Sequence, residues 1–274
     1  MNVAIHQIYF AEAQASALEP AFTPLPNLEN PFPERREFHL FEQFYHNKSH
    51  ALADLSGLVS HKFRQKTHLR GEDFIAWINA NPGYDAYFIN PFPHTVYWFF
   101  NLWEQGEKSH RGIMRLAQEV FDALGYPIQL KTFPRTDRQT TCFSNFWVAT
   151  PQFWDEFMAF ALPVYRYMLD ESRAARFFQP TYHDSDAEIF PFIIERLFTT
   201  FIITRPGYKV LAFPHPPGWA KKTTKRLVPV IDVLDQIPWL KNSPLFRLGM
   251  GMLSNATYAK NRTRLFNRAQ STSP

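Results

Sequence analysis

Apolar positions along this chain recur in two rhythms, strand-like alternation and helix-like spacing, and the rhythm changes at Gly and Pro. Strands are predicted at VAIHQIYF (3–10), LSGLVSHKF (55–63), YDAYFIN (84–90, stopped by Pro-Phe-Pro) and FSNFWVAT (143–150). Helices are predicted over 37–53 and over GEDFIAWINA (71–80), which Asn-Pro-Gly closes; 94–124 reads as one long helical region despite Gly106 and Gly112. PQFWDEFMAFALPVYRYML (151–169) reads as a helix with Pro151 at its start and a break at Pro163, since proline removes a donor and clashes with the preceding turn. The proline-rich stretch 19–36 reads as a loop. Strands alternating with helices predict an α/β fold. No composition shift marks an internal linker, so the expected organisation is one domain over 1–215 followed by a basic extension over 216–274.

One segment breaks the pattern. IFPFIIERLFTTFII (189–203) is apolar around most of a helix, yet Glu195 and Arg196 stand side by side in it, at i, i+4 from Thr199 and Thr200. A charge in such a helix must be paired or must line a cavity, because desolvation otherwise drives it neutral. Two readings follow. Either the two are scaffolding, paired with one another or with Arg205 or Lys209, or Glu195 is a general base whose pKa burial has raised, with Arg196 beside it to hold a phosphate.

Composition excludes disorder: hydrophobic residues make up 45% of the 274 positions, with 28 Phe, and charged residues only 20%. The single cysteine, Cys142, cannot form an internal disulfide, and MNVAIHQIYF lacks the basic and apolar regions of a secretory signal. No apolar run is long enough to span a bilayer, so the expected location is cytoplasmic, on the inner face of the membrane if the chain meets one. Charge is uneven. From Lys209 onward there are 11 Lys or Arg against 2 Asp, a net +9, while the first 208 residues carry 18 against 23, a net −5. WAKKTTKR (219–226) and YAKNRTRLFNR (258–268) interleave these cations with Trp219, Tyr258, Leu265 and Phe266. Such a surface suits an anionic membrane, nucleic acid or a phosphorylated ligand, or is a plain solvated tail.

Candidate chemistry lies at four further places. In SHKFRQKT (60–67), Lys62 and Lys66 share one face whether the segment is extended or helical, and two converging cations can neutralise a diphosphate; the alternative is a solvated basic turn. Asn90, where strand 84–90 emerges, stands with His94 where open α/β sheets bind ligands, or caps the next helix. In NLWEQGE, Trp103 can stack on a base or sugar and Glu104 can accept from hydroxyls, although a Trp in an aromatic-rich helix is more often core. HDSDAE (183–188) holds the only D-x-D, Asp184 and Asp186, which suits a divalent cation held against phosphates, but Ser185 and Glu188 also form a capping box. His46 and His50 have metal-pair spacing with no third ligand nearby. There is no P-loop, dinucleotide fingerprint, G-x-S-x-G or zinc-finger spacing.

The order GLVSHKF, GYDAYFINPFP, CFSNFWVATPQFWDEFM, FPFIIERLFTTFI resembles bacterial surface-polysaccharide (capsule and lipopolysaccharide) glycosyltransferases with a GT-A-like nucleotide-diphospho-sugar transferase fold, over roughly residues 3–213. The resemblance implies a central mixed sheet flanked by helices. It puts Ser60, Lys62 and Lys66 near the nucleotide or acceptor, Asn90 at the diphosphate, Asn145 at the sugar, and Glu195 and Arg196 facing the cleft. It also implies a nucleotide-sugar donor, a glycan or glycolipid acceptor and no nucleic acid. The strand 84–90 lacks a D-x-D, where most members of such a fold hold manganese. A Mn or Mg ion would therefore rest on Asp184 and Asp186, or Lys62, Lys66 and Arg196 would stand in for its charge. A carbohydrate- or protein-binding module would account for the aromatic content without Glu195, and a nucleic-acid-binding protein for the basic end.

Overall fold

A computed structural model describes residues 1–180, 188–215 and 226–255. Six strands form one sheet: β1 (Val3–Tyr9), β2 (Thr23–Pro26), β3 (Leu55–Ser60), β4 (Ala86–Phe88), β5 (Trp147–Ala149) and β6 (Val210–Ala212), in the order β2-β1-β3-β5-β4-β6. Every pairing is parallel except those of β5, which runs against both β3 and β4. Both faces of the sheet are covered, and the pleat sorts the side chains. Ile8, Leu58, Ala86, Phe88, Trp147 and Ala149 enter one core, while Ile5, Leu55, Val59, Tyr87 and Val148 enter the other.

The larger core is filled by aromatic side chains from α2 (Phe38–His46), α5 (Leu102–Ser109), α6 (Ile113–Ala123), α7 (Pro151–Leu169), α9 (Ile189–Glu195) and α10 (Leu197–Thr204). The smaller lies under α3 (Phe63–Thr67) and α4 (Gly71–Ala80), with Phe63, Phe74 and Ile78 fully buried. Helices α1 (Glu12–Ala15) and α8 (Glu171–Phe177) are short connectors. Beyond β6, α11 (Val228–Asp235), α12 (Pro238–Lys241) and α13 (residues 244–255) lie against Val96, Tyr97 and Phe100 through Ile231, Phe246 and Met250. The buried Arg135 ties this layer down. Its guanidinium binds both oxygens of Asp235 (2.9 and 3.0 Å) and donates to the carbonyls of Val96, Phe99 and Phe100. Among the described residues no helix is long and apolar enough to cross a membrane.

Four local expectations are corrected. The loop 19–36 contains β2, because an edge strand needs donors on one side only and tolerates Pro24 and Pro26. The region 94–124 is not continuous: Asn101 caps α5 by accepting from Trp103 N and Glu104 N, and Gly112 at φ 92° starts α6 afresh. Pro163 does not break α7, whose buried Phe160, Ala161, Leu162, Val164 and Tyr165 hold it in place. The segment 189–203 is two helices, parted at Arg196.

Gly57 sits where β3 meets β5 most closely. A Cβ there would stand 2.5 Å from the Trp147 carbonyl oxygen and 2.9 Å from Val148 Cγ2. The first of these contacts is backbone and cannot rotate away. Gly57→Ala is expected to lower stability by about 1–3 kcal/mol, the usual cost of overpacking, read as a lower melting midpoint in denaturant; an unchanged midpoint would mean that the β3–β5 contact is loose.

Candidate functional site

The chain crosses from β2 on one side of β1 to β3 on the other, so the carboxyl ends of the parallel strands β1 and β3 mark the position at which open α/β sheets leave a crevice. The antiparallel β5 brings its amino end to the same edge. Extending its registers past Gly57↔Val148 and Phe88↔Trp147 sets Asn145 between Ser60 and Asn90. A cleft of about 320 Å³ opens there. It is lined by Ser60, Lys62 and Lys66 beyond β3, by Ser144 and Asn145 before β5, by Arg35, Arg36 and Glu37 ahead of α2, and by Pro191, Phe192, Ile194 and Glu195 of α9.

Each polar wall has a local cause. Ser60 Oγ accepts from Lys62 N at 3.3 Å, which turns the chain into α3. One helical turn later Lys66 reaches across to donate to Ser144 Oγ at 2.9 Å, with its ammonium 5.8 Å from the ring centres of both Phe92 and Phe146. Ser144 and Asn145 both adopt left-handed backbone, φ 63° and 52°, and Arg36 has φ 52°. Three of the six described non-glycine residues at positive φ therefore line this one cleft, and such strain persists only where its surroundings enforce it.

Glu195 ends α9 and is partly buried at the cleft wall. Burial pushes its pKa above the ordinary glutamate value; Lys66 and Arg196 pull against this, Glu37 adds to it, and a hydrogen bond from the Ser144 backbone favours the charged form without reversing the shift. The wall thus holds a carboxyl with a raised pKa among Lys62, Lys66, Arg35 and Arg36, a grouping of four cations with two carboxyls, Glu195 and Glu37.

Of the residues singled out from sequence, the cleft gathers Ser60, Lys62, Lys66, Asn145 and Glu195. The others go elsewhere. Arg196 does not face the cleft: it is 1% exposed and reaches toward α5, donating to Leu102 O (3.1 Å), Phe192 O (2.7 Å) and Gln105 Oε1 (2.6 Å). Burial lowers its pKa to about 10, still charged at neutral pH. Trp103 is core, 0% exposed, with its indole N–H on Thr200 Oγ1 at 3.1 Å, so it offers no stacking face. Glu104 accepts from Arg247 Nε at 2.7 Å, away from the cleft. Asn90 accepts from Phe92 N at 2.9 Å, a local turn bond two residues on, and neither caps the helical turn Pro93–Tyr97, which has no side-chain cap, nor lines the cavity.

His46 and His50 do not form a metal pair, since the first lies by Glu42 and Arg166 and the second by Asp155. Arg205 is paired with Glu156, not with Glu195, and among the described residues no ion pair joins Lys209 to Glu195. Burial raises the Cys142 thiol well above its usual range, which suits a core residue. Asp184 and Asp186, and the basic segments 219–225 and 258–268, lie outside the described residues. Arg35, Arg36, Glu37 and Ser144 were not singled out from sequence. The signal for the first three was the charge run ERRE (34–37), in a chain with few charges.

No family model and no curated protein matches the sequence. Among solved structures the chain is similar to the apo structure of WbbM, a bifunctional glycosyltransferase, with a TM-score of 0.50 at 16% identity, covering 79% of this chain and 46% of that one. The chain thus spans less than half the length of that structure. At this identity the likeness is one of fold: the mixed six-stranded sheet flanked by helices is a glycosyltransferase-like fold.

The position of Arg196 makes a clear prediction. Lysine keeps the charge but loses the planar fork that serves three oxygens at once. Arg196→Lys is expected to destabilise the fold by about 2–4 kcal/mol, the range for stranding buried charge-assisted hydrogen bonds, with nucleoside-diphosphate affinity of the folded fraction unchanged. Calorimetric melting and titration check both parts; a stable variant with lost affinity would return Arg196 to the cleft.

Proposed function

We propose that this chain is a nucleotide-sugar-dependent glycosyltransferase, which moves a sugar to a hydroxyl of a glycan or glycolipid acceptor of the kind used in surface-polysaccharide assembly, on a GT-A-like fold. The observation that carries the reading is the meeting of Glu195 with Lys62 and Lys66 in one cleft at the carboxyl ends of parallel strands. The glycosyltransferase-like fold supports it.

Sugar transfer asks two things of a protein. As the bond between the sugar's anomeric carbon and the phosphate oxygen breaks, its electron pair goes to the diphosphate, and that charge needs cations placed beforehand. Lys62 and Lys66, with Arg35 and Arg36 opposite, line the same cavity and meet that need. As the acceptor oxygen bonds to the anomeric carbon, its proton must leave, and Glu195 is the acceptor for it. A carboxylate with a raised pKa is a stronger base near neutral pH than an ordinary one. Ser60, Ser144 and Asn145 supply hydroxyl and amide groups for the sugar. Among the described residues no three His, Cys, Asp or Glu side chains gather as metal ligands. Asp184 and Asp186, outside the described residues, are the candidate pair for a manganese or magnesium ion by sequence alone.

Two experiments test this. Changing Lys62 and Lys66 together to Ala should weaken a nucleoside diphosphate by about 100-fold or more, at about 1.5–3 kcal/mol per charge-assisted bond, and the nucleoside far less; equal loss of both, by isothermal titration, would make the turn structural.

Glu195→Gln should lower transfer by about 100-fold or more while diphosphate binding is kept or strengthened. Stability gives an independent sign. The folded carboxyl holds its proton to higher pH than the unfolded one, so the parent loses stability as pH rises from the ordinary glutamate range through the raised one. The variant has no such loss. Its melting temperature relative to the parent should therefore rise across that window, and a relative fall would show that Glu195 is held as a stabilising ion.

A further inference from the structure

The carboxyl-terminal layer presents an outer surface of unusual chemistry. Its inner side is docked on the body through Ile231, Phe246 and Met250. Its outer side leaves large apolar groups in solvent: Val230, Val233, Trp239, Leu245, Leu248 and Met252 are each more than half exposed, Trp239 at 77% and Leu245 at 78%. These six are the majority of the ten exposed large hydrophobics among the described residues. Helix α13 carries two apolar stripes. Phe246 and Met250, at i and i+4, face inward, and Leu245, Leu248 and Met252, at i, i+3 and i+7, face outward.

The charges of this layer all turn inward. Between 227 and 255 the charged residues are Asp232, Asp235, Lys241 and Arg247. Asp232 lies by Arg138 (3.5 Å) and accepts from the Tyr97 hydroxyl (3.2 Å); Asp235 binds Arg135; Lys241 binds Asp137; Arg247 binds Glu104 (2.7 Å). The outer side thus carries no carboxylate, and the exposed polar residues of this layer are the uncharged Gln236, Asn242 and Asn255, beside its apolar groups. In sequence it is bracketed by two basic clusters, Lys221, Lys222, Lys225 and Arg226 before it and Lys260, Arg262, Arg264 and Arg268 after it, +4 each with no acid in either.

We propose that the outer side of α11–α13 is an interfacial docking surface for an anionic lipid bilayer. Apolar side chains with an exposed Trp enter the headgroup boundary, and the flanking cations meet the lipid charge. The charge pattern selects this occupant. A second copy of the chain would bring +8 against +8, and an apolar partner without charge would leave both clusters unanswered. No described helix can span, so the layer lies on the bilayer and does not cross it. The docking stands independently of the transferase reading.

Flotation of the full chain tests it, with phosphatidylcholine vesicles with and without phosphatidylglycerol. The parent should float only with the anionic vesicles. The variant Trp239→Ser/Leu245→Ser/Leu248→Ser should lose at least about tenfold in partitioning, the equivalent of about two buried methylenes in all, with melting temperature and diphosphate affinity at the cleft unchanged. Three results overturn the proposal: equal binding to neutral vesicles, full anionic binding by the triple variant, or sedimentation of the parent as a dimer that the triple substitution dissolves.

Discussion

A guanidinium cannot shed its charge inside a protein, so Arg196, with 1% of its surface exposed, must be supplied with acceptors wherever the chain buries it. Leu102 O, Gln105 Oε1 and Phe192 O supply them, and each constrains an element. Leu102 and Gln105 belong to α5, which comes so close that a Cβ on Gly106 would stand 2.7 Å from Arg196 Nε. The residue that makes these bonds is also where α9 ends and α10 begins, and the carbonyl of Arg196 accepts from Thr200 Oγ1, which in turn holds the Trp103 indole. A single buried cation thereby joins α5, α9 and α10 into one wall.

That joint determines where Glu195 can be. With Arg196 fixed toward α5, its neighbour Glu195, the last residue of α9, points to a different side, at the cleft. There Glu195 meets Lys66, itself held by Ser144 and by the rings of Phe92 and Phe146. Left-handed backbone at Arg36, Ser144 and Asn145 costs about 1–3 kcal/mol per residue, and all three face this cavity. Strain, partial burial of a carboxyl and a grouping of cations coincide at one edge of the sheet. The carboxyl-terminal layer is anchored by the same device, with Arg135 bound to Asp235 and three carbonyls.

Much of the sheet was legible in the sequence, since apolar alternation is a local property. β1, β3, β4 and β5 all fall inside predicted strands, though β5 is cut short because Ser144 and Asn145 leave the extended region. β2 was hidden by prolines that only an edge position excuses. For the candidate site, a basic turn after a strand and an acid in a greasy helix are visible locally and pointed to Lys62, Lys66 and Glu195, while Ser60 and Asn145 came only from the resemblance in motif order. Direction was not visible. Arg196 and Trp103 have the right chemistry for a ligand, and three-dimensional packing gave them to the core, while the charges of 34–37, at the end of a proline-rich loop, reach the cleft only because of where α2 begins.

The central claim is that Glu195 and the β3–α3 lysines face one ligand. Crystals of the full chain soaked with a nucleoside diphosphate test it most directly. The account predicts phosphate density within hydrogen-bond distance of Lys66 Nζ, between the Ser60–Lys66 turn and α9, with Glu195 on the side left for the sugar. Density in a different cavity, such as the one lined by Tyr126, Phe133, Phe160 and Arg205, with the Lys66 cleft unchanged, would contradict it.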